Sequence, residues 1–283
     1  DVVQESPRST EKGYVKVSNP VFSLDGKTMY IPTSTPAGHL FAIDVTTGNI
    51  KWVYGIDAIT YGGGALIGDD GTIYQCVESK DIDNVHAINS DGTKKWSIKL
   101  DDKIGAFPAL SADGTVLYCL TNAPTLYALN IVDGSIKWRV EKLDDSNKGC
   151  AVMGNIYAGT NAAIYSFTSS GNERWNGKNI AFKITERGAF ALHGDCLYAT
   201  TLDKGLISVN MTTGEKNWDY KNTGGNAYFP IVDKNGVIYF TEKGVSGKAL
   251  VYAVEPTGSL KWSKDIASVL TYNGAALSAE GLL

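Results

Sequence analysis

The segment Leu126–Trp138, LYALNIVDGSIKW, decides the fold of this 283-residue chain, because five further segments repeat its pattern. Each copy has an alternating apolar run, a turn with a glycine, and a tryptophan four residues after that glycine. The other copies are LFAIDVTTGNIKW (Leu40–Trp52), VHAINSDGTKKW (Val85–Trp96), IYSFTSSGNERW (Ile164–Trp175), LISVNMTTGEKNW (Leu206–Trp218) and VYAVEPTGSLKW (Val251–Trp262). Successive tryptophans are 44, 42, 37, 43 and 44 residues apart, a period typical of one four-stranded propeller blade.

Each period also contains an upstream segment that reads as strand, glycine turn and strand, such as ALSADGTVLYCLT at 109–121. Asp-Gly and Asn-Gly pairs between apolar runs favour β-hairpins. A blade is therefore predicted to contain strands A, B, C and D, with the tryptophan on strand D. Strand C has a small residue five positions before the turn glycine in the shorter copies and six positions before it in the longer ones. A small side chain there lets neighbouring sheets approach closely; these residues are Ala42, Ala87, Ala128, Ser166, Ser208 and Ala253.

The turn glycines and the tryptophans have predicted roles in this blade. Glycines 48, 92, 134, 171, 214 and 258 occupy positions where the C–D hairpin needs a positive φ. Each tryptophan supplies a wide apolar plate, which we expect to lie between adjacent sheets. The sequence therefore predicts an all-β protein, a β-propeller of four-stranded blades.

The termini bear on the number of blades. The segment Tyr272–Leu283 resembles the beginning of a seventh repeat, and residues 1–18 precede the first complete blade. Closure by strands from both termini removes exposed sheet edges. We expect residues 1–283 to form a single propeller domain with seven blades and a mixed closing blade; six blades, or eight, are the alternatives.

Composition limits the classes of partner. A net charge of -4 is unlike the concentrated basic surface that binds nucleic acid, and none is expected here. No apolar run reaches the about 18–20 residues of a membrane helix, so no membrane span is expected. The chain begins at Asp1, as a mature or trimmed form does.

The repeated pattern A-x-[DN]-x-x-[TD]-G-x-x-x-W resembles the tryptophan-docking repeat of the PQQ-like (quinoprotein alcohol dehydrogenase-like) propeller family over Ser18–Leu283. That family includes dehydrogenases that bind PQQ with calcium, and shorter non-catalytic members such as the lipoprotein of the outer-membrane assembly machine. Methanol-type dehydrogenases have two adjacent cysteines, whereas Cys76, Cys119, Cys150 and Cys196 are all separated. The resemblance thus implies the non-catalytic branch, with no catalytic residue, no cofactor and no metal site.

This resemblance implies a binding or assembly scaffold that is exported to the periplasm or cell surface, with a lipid anchor in a missing N-terminus as an open alternative. A protein or carbohydrate partner is expected at the loop face, and the protein itself is expected to be a monomer. The two alternative functions are a quinone-dependent dehydrogenase, or a subunit of one, and a carbohydrate-binding surface protein.

The candidate ligand-binding residues lie near the start of strand A, where side chains reach towards the central channel. The B–C and D–A loops vary most between repeats, share one face of the propeller and are the expected seat of binding. The residues are Tyr61, Lys148, Arg187, Asn226, Tyr228 and Asn273. Together they predict a polar, aromatic and partly basic mouth suited to a sugar, an anionic group or a peptide. Replacement of Arg187 or Tyr228 is expected to leave stability almost unchanged.

Two further expectations concern cysteines and acidic residues. Cys76 and Cys119 are assigned to matching positions of neighbouring blades, whose strands are expected to fan apart beyond the about 7 Å Cα separation that a disulfide tolerates. Free thiols are therefore expected. The loop Val77–Asn84 offers oxygen ligands without the spacing of a calcium loop, so we expect it to be a solvated acidic loop.

Deletion of residues 1–18 tests the predicted mixed blade. The truncated chain should have a clearly lower melting temperature, because the deletion exposes an unpaired strand edge. A loss of less than about 1 kcal/mol in the free energy of unfolding, as an ordinary surface change gives, would contradict the prediction.

Overall fold

The structure is a computed structural model that describes residues 20–33, 38–56, 58, 65–104, 107–141, 143, 147–153, 155–160, 163–175, 180–181, 190–201, 205–221, 226–243 and 249–267. These residues form six four-stranded antiparallel sheets. In the part of the chain so described, no helix has the length and hydropathy needed to span a membrane.

Each sheet is one blade, and its four strands are consecutive in the chain. Blade 1 comprises β1 (Val21–Phe22), β2 (Thr28–Thr33), β3 (His39–Asp44) and β4 (Ile50–Gly55). Blade 2 comprises β5 (Ala65–Ile67), β6 (Ile73–Cys76), β7 (Val85–Ile88) and β8 (Lys94–Ile98). Blade 3 comprises β9 (Ala109–Leu110), β10 (Val116–Leu120), β11 (Leu126–Asn130) and β12 (Ile136–Val140). Blade 4 comprises β13 (Asn147–Met153), β14 (Asn155–Thr160), β15 (Ala163–Phe167) and β16 (Ile180–Ala181). Blade 5 comprises β17 (Phe190–His193), β18 (Cys196–Thr201), β19 (Gly205–Asn210) and β20 (Lys216–Tyr220). Blade 6 comprises β21 (Asn226–Val232), β22 (Ile238–Lys243), β23 (Ala249–Val254) and β24 (Leu260–Ala267).

The first strands of the blades lie at the centre and the fourth strands at the periphery. First strands of successive blades contact each other, as in the pairs β9–β13, β13–β17 and β17–β21. In blades 2, 3 and 5 the second and third strands are almost entirely buried. By contrast, the residues of β4, β12 and β20 are exposed or half-buried. The prediction of an all-β propeller with four-stranded blades is confirmed. Six blades in the described residues agree with the six-blade alternative; the seventh, mixed blade would fall on residues outside them.

Tryptophan from one blade docks onto the C–D turn of the next. The indole N–H donates a hydrogen bond to a turn carbonyl oxygen of the following blade at five successive interfaces. The pairs are Trp52 to Ser90 (3.0 Å), Trp96 to Ile131 (2.8 Å), Trp138 to Ser169 (2.8 Å), Trp175 to Met211 (3.4 Å) and Trp218 to Pro256 (2.9 Å). The predicted place of these five side chains between adjacent sheets is confirmed.

The turn glycines are required on two grounds. All six have the predicted positive φ, between 72° at Gly48 and 89° at Gly92. In addition, the indole lies directly over the turn: a Cβ added to Gly134 would lie 2.6 Å from Trp96, and one added to Gly92 would lie 2.7 Å from Trp52. At every turn glycine except Gly48, a side chain would therefore both strain the turn and displace an indole.

A tyrosine and a small residue hold each indole from its own blade. The tyrosine is on the second strand, with ring centroids 5.6–6.0 Å from the indole; the pairs are Tyr30–Trp52, Tyr74–Trp96, Tyr118–Trp138, Tyr157–Trp175, Tyr198–Trp218 and Tyr239–Trp262. The small residue predicted on strand C is the register partner of the tryptophan, as in Ala128↔Trp138, and a bulge follows it. The indole thus has room to tilt towards the next blade.

The docking pattern changes at the two ends of the described array. Trp262 of blade 6 is 38% exposed, whereas Trp96 and Trp175 are 8% and 3% exposed. At Gly48 of blade 1, an added Cβ would meet no atom within 4 Å. Blades 6 and 1 are therefore not joined by the contact that joins the other neighbours in the described part of the chain.

The assignment of Cys76 and Cys119 to matching positions of neighbouring blades is wrong. Their sulfur atoms are 3.9 Å apart. The reason is strand alternation: Cys76 is two residues after Tyr74 and so faces blade 3, whereas Cys119 is one residue after Tyr118 and so faces back towards blade 2. The two positions do not match, and this offset directs the side chains at each other across the interface.

Replacement of Trp138 by Ala tests the docking contact. The free energy of unfolding should fall by about 3–5 kcal/mol, because the change empties a packed aromatic site between two blades. Chemical denaturation measures the effect.

Trp262→Ala is the matched control for that variant. The loss there should be clearly smaller, because Trp262 is the more exposed side chain and has no docking turn among the described residues. Equal losses in the two variants would show that docking onto the next blade contributes nothing.

Candidate functional site

The candidate site lies on the face formed by the B–C and D–A loops, around the central channel. First strands begin at this face and run inwards beside the axis. Three of the six residues predicted to bind a ligand, Tyr61, Arg187 and Asn273, lie outside the described residues. Lys148 is in β13, the first strand of blade 4, although its side chain lies outside the description. Their role in binding stays a prediction.

The other two predicted residues, Asn226 and Tyr228, share strand β21 and have opposite exposures. Asn226 is exposed and pairs with Lys243 in the sheet. Tyr228 is only 3% exposed and pairs with Thr241. The expectation that Tyr228 could be replaced without a change in stability is therefore wrong, because removal of a buried aromatic ring leaves a cavity.

Immediately after Tyr228, strand β21 contains a strained bulge. The register changes between Tyr228 and Ile231, so that Phe229 and Pro230 together oppose the single residue Phe240. Proline is tolerated at such a bulge because it has no N–H to donate to the ladder. The φ of Phe229 is +42°. Among the described residues, Phe229 is the only non-glycine residue with a positive φ. Backbone strain of this kind is often concentrated at functional positions in proteins.

The strained residue makes an aromatic contact across the channel. The ring of Phe229 in blade 6 meets the ring of Phe107, just before β9 of blade 3, with centroids 6.5 Å apart and planes at 75°. This edge-to-face geometry is favourable for two aromatic rings. Blades 3 and 6 are not neighbours, so the pair bridges the channel mouth.

Sequence analysis missed this pair, although a signal for it is present. Both phenylalanines precede a proline, in the segments GAFPAL at 105–110 and AYFPIV at 227–232. Both prolines stand three residues before the residue that begins the A–B turn, Ser111 in blade 3 and Asp233 in blade 6. Phe107 and Phe229 therefore occupy equivalent repeat positions, and only these two repeats have an aromatic residue there before proline.

A buried carboxyl group lies beside the mouth on the neighbouring strand. Glu242 is fully buried on β22 and is the register partner of Ala227, between Asn226 and Tyr228. A glutamate is rarely buried in a propeller strand without interacting partners. Burial first, and then the charge of Glu242, raise the pKa of Tyr220. The sequence analysis did not single out Glu242, because nothing in the repeat pattern distinguishes its position from a core position.

The loop face has an open groove between blades 2 and 3. Its volume is about 570 Å³, and its lining includes Asp101, Thr125, Tyr127 and the ion pair Arg139–Glu141, which is 2.7 Å long and half-exposed. The Thr125 hydroxyl donates a 2.8 Å hydrogen bond to the Asp101 carboxylate across the interface. Burial, and then the charge of Asp101, raise the pKa of Tyr127. The groove thus presents both signs of charge beside an aromatic wall.

Asn84, at the end of the loop expected to be solvated, holds the backbone on both sides of Asp101. Asn84 is fully buried; its side-chain amide donates to the carbonyl oxygens of Ser79 and Asp102 and accepts from the Leu100 N–H. The neighbouring Asp83 accepts a short hydrogen bond from Ser97. The expectation of a merely solvated loop is therefore wrong at these two residues. Within the described ranges, no group of three or more His, Cys, Asp or Glu residues could hold a metal ion.

The comparisons with known proteins agree with this architecture. A family model described as outer membrane protein assembly factor BamB matches residues 56–264, well over half of the chain. The chain belongs to this BamB family. The predicted resemblance to PQQ-like repeat propellers, and to their assembly-factor branch, is thereby confirmed.

Solved structures show the same fold at low sequence identity. BamB from Moraxella catarrhalis has a TM-score of 0.71 and 16% identity, over 88% of this chain and 76% of that one. The computationally designed Ika8 protein has a TM-score of 0.67 and 13% identity, over 88% of this chain and 71% of that one. No curated protein matches this BamB family member in sequence.

Substitutions at Phe229 separate backbone strain from ring contact. Phe229→Ala and Phe229→Gly both remove the contact with Phe107, but only glycine adopts a φ of +42° without strain. The glycine variant should therefore be more stable than the alanine variant by about 1 kcal/mol in chemical denaturation. If alanine is the more stable of the two, Phe229 is not strained in solution.

Proposed function

We propose that this protein is a protein-binding scaffold of the cell envelope that takes part in the assembly of outer-membrane proteins. The observation that carries the proposal is the match of residues 56–264 to the outer membrane protein assembly factor family on a propeller of the same fold. It acts as an exported monomer whose loop face binds the partner. Of the predicted residues, this face includes the exposed Asn226.

The channel mouth supports a macromolecular partner over a small ligand on the axis. The rings of Phe107 and Phe229 meet across the mouth, so the first strands enclose an aromatic bridge there. A partner that spreads over the loop face gains contact area from this bridge, whereas a planar cofactor seated on the axis would have to displace it. Aromatic residues of this type are enriched in protein interfaces.

The groove between blades 2 and 3 supports a polypeptide as the partner. It is open, it is lined by Tyr127 and by a half-exposed Arg139–Glu141 pair, and it holds groups of both charges. Tyrosine and arginine are prominent among the residues that dominate binding energy in protein interfaces. The hydrogen bonds of Asn84 keep the adjacent loop in place, so little ordering free energy is lost on binding.

Complementation of a gene deletion in the source organism tests the proposal. Loss of the gene should lower the amount of folded outer-membrane β-barrel protein, measured by heat-modifiable gel mobility, and the parent gene should restore it. Arg139→Glu should restore it poorly, because the change reverses a charge in the groove. Surface ion pairs contribute about 0–1 kcal/mol, so the variant should remain folded.

Lys261→Glu provides the matched control for Arg139→Glu. Lys261 is also a half-exposed cation on a fourth strand, paired with Glu255 at 3.2 Å, but it lies near the opposite, turn face. It should complement as well as the parent. Unchanged barrel levels after the deletion, or equal complementation by both variants, would contradict the proposal. A visible absorbance band and dye reduction with added PQQ and calcium would favour a dehydrogenase instead.

A further inference from the structure

We propose that Cys76 and Cys119 form a reversible disulfide that joins blades 2 and 3. The two thiols belong to different sheets, both are fully buried, and their sulfur atoms are 3.9 Å apart. Both cysteines are in the reduced form in this structure. The inference depends on this geometry and not on the proposed function.

The thiols face each other because of their positions relative to the docking aromatics. Tyr74 and Cys76 lie on the side of β6 that faces blade 3, where Tyr74 contacts Trp96. Cys119 lies on the opposite side of β10 from Tyr118, and therefore faces blade 2. Both cysteines belong to one hydrophobic cluster, which also contains Leu117. The shared cluster places the sulfur atoms in direct contact across the interface.

The remaining movement is small. A disulfide needs a sulfur–sulfur distance of about 2.0 Å, so the two atoms must approach by about 1.9 Å. Rotation about side-chain bonds and a slight shift of two sheets can supply this distance. Because the sheets must adjust, the bond is expected to be more easily reduced than an unstrained structural disulfide.

The chemistry is two steps of thiol–disulfide exchange with an oxidant of the disulfide class, such as oxidised glutathione. One cysteine thiolate attacks the oxidant, which forms a mixed disulfide and releases one thiolate. The second cysteine thiolate then attacks the first cysteine's sulfur in this mixed disulfide, which forms the Cys76–Cys119 bond, breaks the bond to the oxidant and releases the second thiolate. The protein loses two protons and two electrons, and the oxidant gains them as two thiols.

Burial determines when the reaction takes place. Neither sulfur is exposed, so the oxidant reaches the thiols during folding or when the interface opens. The same burial protects the completed bond from reductants. The bridge lies at the interface that also carries the Asp101–Thr125 hydrogen bond and the groove, so the redox state sets how firmly this part of the loop face is held.

Refolding of the reduced full-length chain with oxidised and reduced glutathione tests the proposal. Free thiols are alkylated after refolding, and the disulfide is located by peptide mapping. We expect a peptide pair that joins Cys76 to Cys119, and a thermal midpoint about 5 °C higher than that of the reduced protein. A reductant should return the midpoint to its original value.

Variants identify the residues responsible. Cys76→Ala and Cys119→Ala should each abolish the oxidant-dependent shift, whereas Cys196→Ala should retain it, because Cys196 lies in blade 5. The proposal is wrong if Cys76 and Cys119 of the parent are both found alkylated after oxidative refolding, or if either of them forms a disulfide with another cysteine. Mapping on the parent decides the question even if an alanine variant fails to fold.

Discussion

The contact between a tryptophan of one blade and the glycine turn of the next is the constraint on which the rest of the structure depends. A four-stranded sheet leaves both faces apolar and must cover them with its neighbours. The indole does this, and its N–H adds one directional bond to a carbonyl oxygen, as in Trp96 to Ile131. Because the turn glycine has no side chain, the indole lies flat on the backbone and fixes the separation of the two sheets.

Fixing the peripheral edge has consequences at the centre. Once the fourth strands are held by docking, the first strands converge and contact one another around the axis. This convergence brings Phe107 and Phe229 from blades 3 and 6 into contact. The loops at the mouth are free of any role in docking, and so their sequences can vary to suit a partner.

The proposed function and the proposed disulfide use two different products of this arrangement. The binding face depends on the side chains that line the open groove, such as Tyr127 on β11 and Arg139 on β12. The disulfide depends on the narrow space between two sheets, where Cys76 and Cys119 already touch. The groove and the cysteine pair both belong to the interface of blades 2 and 3. The redox state of the two cysteines therefore affects the stability of the surface that binds the partner.

The sequence by itself determined the blade, because the features of a blade are local. The period of the tryptophans, the positive φ of glycines such as Gly134 and the small residue opposite Trp138 all follow from contacts within one repeat or between successive repeats. The assignment to the PQQ-like family followed from the same pattern. Only the tertiary structure decided which side chains meet across an interface or across the channel. Strand alternation shows that Cys119 faces blade 2, but its distance from Cys76 depends on how closely two sheets pack. Likewise, Tyr228 is buried and Phe229 is strained because a bulge and the three docking contacts between blades 3 and 6 place them there.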